Sequence, residues 1–227
     1  MISKNRSSLF TRTAVIYLLA LAVTGASIFI PAGTLKFWNG WLFIGALFIP
    51  MFCAFIYLFQ KNPDLLAKRL KTREKEKTQK IYKVTSLIVL LAIFIVPGLD
   101  FRFNWSNVPL LIVLISTLIM LSGYLMFFIV MKQNTFASRI IEIEDEQRLI
   151  DSGLYSFVRH PMYLAGIILW GFEPLVLGSF YGLIPTIFFV ALIIIRIINE
   201  EKVLKSGLKG YDDYMKKVKY RLLPFIW

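Results

Sequence analysis

One cysteine, Cys53, and one histidine, His160, are all that these 227 residues hold of the side chains most used to bind zinc. A lone thiol excludes an intrachain disulfide, and one thiol with one imidazole cannot assemble a zinc site of nitrogen and sulfur ligands. A magnesium site built from carboxylates stays open, but no spacing of acids argues for one. Cys53 lies inside an apolar run and reads as a buried, inert thiol. Acids are few: 14 Asp and Glu stand against 26 Lys and Arg, for a net charge of +12. An internal repeat is also missing, as is any Gly/Ser- or Pro-rich linker that would divide the chain.

Apolar surface is abundant. The chain is 57% hydrophobic with a mean hydropathy of +0.67, more than a single soluble core of this length can hide, so much of it must face lipid. The positive charge does not signal nucleic acid, because the basic residues fall between long apolar runs instead of forming one basic face. They read as topology signals and as contacts to anionic lipid headgroups.

Four spans come first: roughly Thr13 to Ala32, Gly40 to Phe59, Tyr82 to Gly98 and Val108 to Met131. Each is near the ~20 residues that a helix needs to cross ~30 Å of hydrocarbon. The first has a short basic prelude, but its length and the second span behind it favour a retained helix over a signal peptide. Met162 to Asn199 is too long for one crossing and barely enough for two. A tight turn at Gly178-Ser179 makes it a helical hairpin, and Pro174 and Pro185 predict kinks or a shallow first arm. With the N-terminus in the cytoplasm and six alternating spans, 24 of the 26 Lys and Arg lie inside, leaving only Lys36 and Arg102 outside. The positive-inside rule therefore puts both termini in the cytoplasm. Residues 1–131 form the four-span part and 132–227 a second region.

Two connectors differ in character. Asn62–Lys80 is charged and helical in pattern, and reads as a solvated connector along the headgroups. Lys132–Arg159 carries Glu142, Glu144, Asp145 and Glu146; alternation over Arg139–Glu144 suggests a short extended piece, and Gly153 permits a turn before Tyr155.

The chemistry concentrates at the ends of the hairpin. Arg159-His160-Pro161-Met162-Tyr163 opens its first helix, with Pro161 suited to the first turn. A helix N-terminus flanked by Arg159 and His160 suits a carboxylate or phosphate, though basic and aromatic residues also serve as plain interfacial anchors. Arg196 and Glu200 are four apart and share a helix face, either as an ordinary ion pair or as a working one. Glu201 points elsewhere, toward solvent. The basic tail from Lys202 to Arg221 looks amphipathic and suited to lie over the same face. Glu173 stands in the hairpin before Pro174, either reaching the outer surface or facing a bound substrate.

On these residues the stretch from Gln147 to the C-terminus resembles the isoprenylcysteine carboxyl methyltransferase family and the related phospholipid N-methyltransferases. The shared elements are Ser152-Gly153-Leu154-Tyr155, Arg159 to Tyr163, the hairpin, Arg196 with Glu200-Glu201, Gly210-Tyr211 with Tyr214, and Leu223-Pro224. They cover roughly the last 80 residues; the earlier spans match only as hydrophobic helices.

The resemblance implies an all-α integral membrane protein with five to six transmembrane helices, a C-terminal helical hairpin and a cytoplasmic cofactor-binding region. It further implies an S-adenosyl-L-methionine-dependent methyltransferase. Carried over by position, Gln147, Arg148, Leu149, Ile150 and Tyr155 would line the nucleotide part of the cofactor site. His160, Pro161, Met162 and Tyr163 would hold the methionine part, and Glu200 would meet its amino group or ribose. Arg196 would face a lipophilic small-molecule or lipid-linked substrate. The absence of a glycine-rich dinucleotide fingerprint after a strand agrees with a non-Rossmann methyltransferase. The short form resembles a prokaryotic member of the cytoplasmic membrane, and nothing in it points to an isoprenyl substrate.

A second class shares much of this layout. Membrane sterol reductases also resemble it, with an Arg-His-Pro corner, an acidic pair and a Tyr-Arg tail, and they transfer hydride from a nicotinamide cofactor. They are generally longer, with more spans. A transporter would carry polar residues near mid-membrane, and the first four spans have almost none.

Overall fold

The computed structural model describes residues 2–70, 77–134 and 148–227, with side chains from residue 6 in the first segment and from 84 in the second. Gln147 and the Arg139–Glu144 stretch lie outside the described residues. Among those described there is no strand; the elements are α1 (Ile2–Ala32), α2 (Trp38–Lys61), α3 (Pro63–Arg69), α4 (Lys77–Phe103), α5 (Leu110–Gln133), a 3-10 turn (Gly153–Ser156), α6 (Pro161–Gly171), α7 (Glu173–Val176), α8 (Leu183–Gly207) and α9 (Tyr211–Lys217). Helices α1, α2, α4, α5 and α8 are long and apolar enough to cross a membrane. A backbone in hydrocarbon must satisfy its own polar groups, which the helix does within one segment.

The outward surface is oily: Leu18, Ile30, Leu111, Leu118 and Ile187 are each 60% or more exposed. Cys53 is exposed as well, against the expectation of a buried thiol. An all-round apolar helix gives no sequence clue to which side faces neighbours and which faces lipid. The interior gathers Ile28, Phe37, Phe43, Ile93, Met120 and Leu177, each at most 1% exposed.

Small residues set the closest crossings. A Cβ at Gly98 of α4 would lie 2.6 Å from the Ile28 carbonyl oxygen of α1. One at Gly123 of α5 would lie 2.9 Å from the Leu169 nitrogen and 3.1 Å from the Ala165 oxygen of α6. The α5–α6 pair is the most extensive in the bundle.

The first arm of the hairpin is two helices, α6 and α7, broken at Phe172 before Pro174. The arm is kinked but not shallow. Its turn at Gly178 (φ +75°) is tied to the opposite end of the bundle. Asn39 Nδ2 of α2 donates to the Val176 carbonyl at 3.0 Å, and the Ser179 hydroxyl donates to Asp100 of α4. Asp100 also accepts from the Ser106 amide at 2.7 Å. Pro185 sits in the first turn of α8, where a missing N–H is harmless.

Glu173 is fully buried, and neither of its carboxylate oxygens has a hydrogen-bond partner. It does not reach the outer surface, the first of the two placements its sequence position suggested.

At the other end of the bundle, Arg12 of α1 donates to the Leu70 carbonyl at 3.2 Å, and Arg69 of α3 reaches Met162 of α6. The start of α1, the α2–α4 connector, the start of α6 and the end of α8 therefore share one end. The connector is not simply solvated: Leu65 and Leu66 are 2% and 5% exposed and pack with Phe55, Leu58 and Met131.

Candidate active site

Arg159 ends a short non-helical stretch, and His160 is the N-cap of α6, with Pro161 in the first turn. The extended backbone of this corner pairs with the tail. The Arg159 amide donates to the Tyr220 carbonyl and the His160 amide to the Arg221 carbonyl, both at 2.9 Å. The Arg159 guanidinium, 6% exposed, donates through Nε to Glu201 Oε1 at 2.8 Å. Its Nη1 donates to the Val218 and Lys219 carbonyls at 2.8 and 2.7 Å. His160 Nε2 lies 3.2 Å from the same Glu201 oxygen, and Arg221 Nε donates to Glu201 Oε2 at 2.8 Å.

Glu201 is thus 5% exposed and ringed by cations, not solvated as its sequence position suggested. A buried carboxylate survives when paired and fully hydrogen-bonded, and here it anchors the tail to the corner. His160, assigned by resemblance to the methionine part of the cofactor, is 4% exposed with its ring against Glu201.

One helical position away the arrangement opens. The Tyr163 hydroxyl donates to Glu200 Oε2, and Arg196 Nε donates to the Tyr163 oxygen at 2.9 Å. The phenol of α6 therefore sits between the two α8 residues that sequence spacing placed on one face. All three are half-buried. Below them, Ile193, Ile197 and Leu222 form an apolar floor with Leu164, Ile167 and Trp227. An ion-pairing group, a carboxylate and a phenol on a dry floor can bind a zwitterion or position a polar head of an oily molecule.

Tyr155 enters from the other side. The 3-10 turn is held on the end of α5: the Leu154 amide donates to Gln133 Oε1 at 3.1 Å, and Gly153 (φ +61°) leaves no room for a Cβ against Gln133. Asn134 Nδ2 donates to the Tyr155 hydroxyl at 2.9 Å, and the Tyr214 hydroxyl donates to the Tyr155 carbonyl at 2.8 Å. Burial pushes the Tyr155 phenol up to about 12; the Asn134 bond and Arg69 lower it while Glu200 raises it. It is a neutral phenol at ordinary pH.

Leu149 packs with Tyr211, Tyr214 and Val218 under α9, Ile150 is half-buried, and Arg148 is exposed. Pro161 is buried and Met162 half-buried. Sequence reasoning missed Gln133, Asn134, Arg221 and the whole contribution of α3. The only signal was the Leu65-Leu66 pair within a charged connector.

Residues 113–206 match the model of the Isoprenylcysteine carboxyl methyltransferase (ICMT) family. The match runs from within α5 to the end of α8 and contains Tyr155, Arg159 to Tyr163, Arg196, Glu200 and Glu201. The matched stretch is thus similar to that family over about two fifths of the chain. Members of the family are methyltransferases that generally use S-adenosylmethionine. A Delta(14)-sterol reductase of Mus musculus is 29% identical over 85 residues, which are 36% of this chain and 20% of that protein. The chain therefore spans about a fifth of the length of this curated relative.

Proposed function

We propose that this chain is an S-adenosylmethionine-dependent methyltransferase that acts on a lipophilic acceptor at the cytoplasmic face of a membrane. The observation that carries the proposal is the Tyr163–Glu200–Arg196 cluster at the mouth of the hairpin, within the family-matched residues. The donor set fits the cofactor. A zwitterionic amino acid attached to a nucleoside needs an anion, a cation and a partly dry cradle, and Glu200, the nearby guanidinium groups and Tyr155 supply them.

When bound, S-adenosylmethionine supplies a methyl group already activated on a sulfonium. The protein is left with orientation and exclusion of water, which together can account for most of the acceleration of such a transfer. Glu200, held by Tyr163, offers a carboxylate to an ammonium or a ribose hydroxyl. Arg196, held by the same phenol, presents a cation toward the acceptor. A carboxylate acceptor needs only that cation, whereas an amine acceptor needs a proton taken up, for which Glu200 is placed. The apolar floor below suits the oily part of the acceptor.

Calorimetric titration of the detergent-purified protein with S-adenosylhomocysteine, with Glu200→Ala alongside, tests the reading. Binding by the parent, weakened at least tenfold in the variant, is the expected result. The sterol reductase relative favours one other reading, a nicotinamide-dependent reductase. Binding of NADPH with no response to S-adenosylhomocysteine would replace the first reading by the second.

A further inference from the structure

The end of the bundle opposite the Tyr163–Glu200–Arg196 cluster holds a cleft of about 1060 Å³, which methyl transfer does not use. It lies between the starts of α2 and α5, the end of α4 and the Gly178 turn. Its walls include four aromatic rings, those of Phe37, Trp38, Phe101 and Trp105. No Lys, Arg, Asp or Glu is among the described residues that line it. Tryptophan at a membrane interface is often a plain anchor in the headgroups. Here the aromatic wall continues inward: Phe37 is 1% exposed and stacks on Phe101 with ring centres 4.3 Å apart.

Two polar observations say what such a wall can hold. Asn39 lines the cleft and is 7% exposed. Its Nδ2 is committed to the Val176 carbonyl, but its Oδ1 accepts no hydrogen bond from any described residue. A side-chain amide oxygen can accept two, and one this buried ordinarily has a donor. Ser106, also in the wall, bonds through its amide and its hydroxyl to Asp100, which accepts from Ser179 as well. Asp100 is 1% exposed, and no cation pairs with it among the described residues. A buried carboxylate held by neutral donors alone leaves its negative field uncancelled where the dielectric is low. The faces of the aromatic rings add to that negative potential. The cleft therefore disfavours an anion and favours a cation that carries N–H donors.

We propose that this cleft binds a primary ammonium group, such as that of an ethanolamine headgroup, with its charge against the aromatic faces and one N–H donated to Asn39 Oδ1. The site is separate from the methyl-transfer cluster and does not depend on that reading. Leu110, which lines the cleft and is 59% exposed on α5, offers apolar surface to the chains of a lipid ligand.

The test is calorimetry on the detergent-purified protein with dihexanoyl phosphatidylethanolamine, its N-acetylated and N-trimethyl counterparts, and free ethanolamine. The parent is expected to bind the amine lipid, and the uncharged N-acetylated lipid at least about tenfold more weakly. The trimethyl lipid keeps the charge without an N–H and should fall between. Trp38→Leu and Trp105→Leu are each expected to weaken the amine lipid about tenfold, while Glu200→Ala leaves its binding unchanged. Asp100→Asn should narrow the preference for the amine over its N-acetylated form. Free ethanolamine binding as tightly as the lipid would make a soluble amine the ligand, and binding of the lipid alone would assign the headgroup. Equal binding of the amine and N-acetylated lipids overturns the proposal, as does a parent that binds neither amine. So does a loss in Glu200→Ala with both tryptophan variants unaffected, which would move the amine to the methyl-transfer cluster and leave that reading standing.

Discussion

Glu200 and Glu201 are neighbours with opposite duties. Glu201 is buried against Arg159, His160 and Arg221, while Glu200 is half-buried and meets a phenol. Removing one member of a buried ionic cluster leaves the others unpaired, at a cost of about 3–5 kcal/mol. Glu201→Ala is therefore expected to lower thermal stability in detergent and to free the tail for protease cleavage near Lys216 and Lys217. Glu201→Gln, which keeps an acceptor oxygen, should lose less. A tail equally protected in Glu201→Ala and parent would contradict this role. Sequence spacing gave the partnership of Arg196 and Glu200, because four residues close one helical turn. It could not give the partners of Glu201, which arrive from twenty and about forty residues away.

Helix crossings depend on which glycines meet another backbone. Gly123 has no room for a side chain, whereas a Cβ at Gly166 of α6 meets nothing within 4 Å. Gly123→Leu is expected to separate α5 from α6 and lower the melting temperature by several degrees, and Gly166→Leu to leave it nearly unchanged; overpacking of this kind costs about 1–3 kcal/mol. Equal melting temperatures would refute the assignment. The four long spans and the turn at Gly178 were legible, because a continuous apolar run of bilayer length has few alternatives to a helix. Cys53 and α3 were not. A uniformly apolar helix hides its orientation, and two leucines among lysines give a weak signal against a strongly charged background.

Taken as a whole molecule, the bundle has two unlike ends. The start of α1, the connector, the Arg-His-Pro corner and the tail gather at one of them, where basic residues concentrate. Asn39, Asp100, Ser106 and Ser179 hold the other. Positive charge favours the cytoplasm for the first end. Reporter fusions at Lys217 and at Ser106 should report cytoplasmic and external locations respectively; the reverse pattern would move the proposed site to the other face. Sequence alone suggested this alternation, but only the hydrogen bonds at the Gly178 turn bring the first arm to the far end. Those bonds join residues up to 137 apart, beyond the reach of any local pattern.

The grip of the tail on the Arg159 corner has a consequence for synthesis. The carbonyls of Val218 to Arg221 that hold and align this corner are made after every long apolar helix has been synthesised. Until then Arg159 and Glu201 lack several of their partners, and the nascent chain is a membrane protein with an unfinished charge centre. A premature stop ahead of Val218 would yield a product that inserts normally yet exposes that centre, a mark by which quality control could distinguish it.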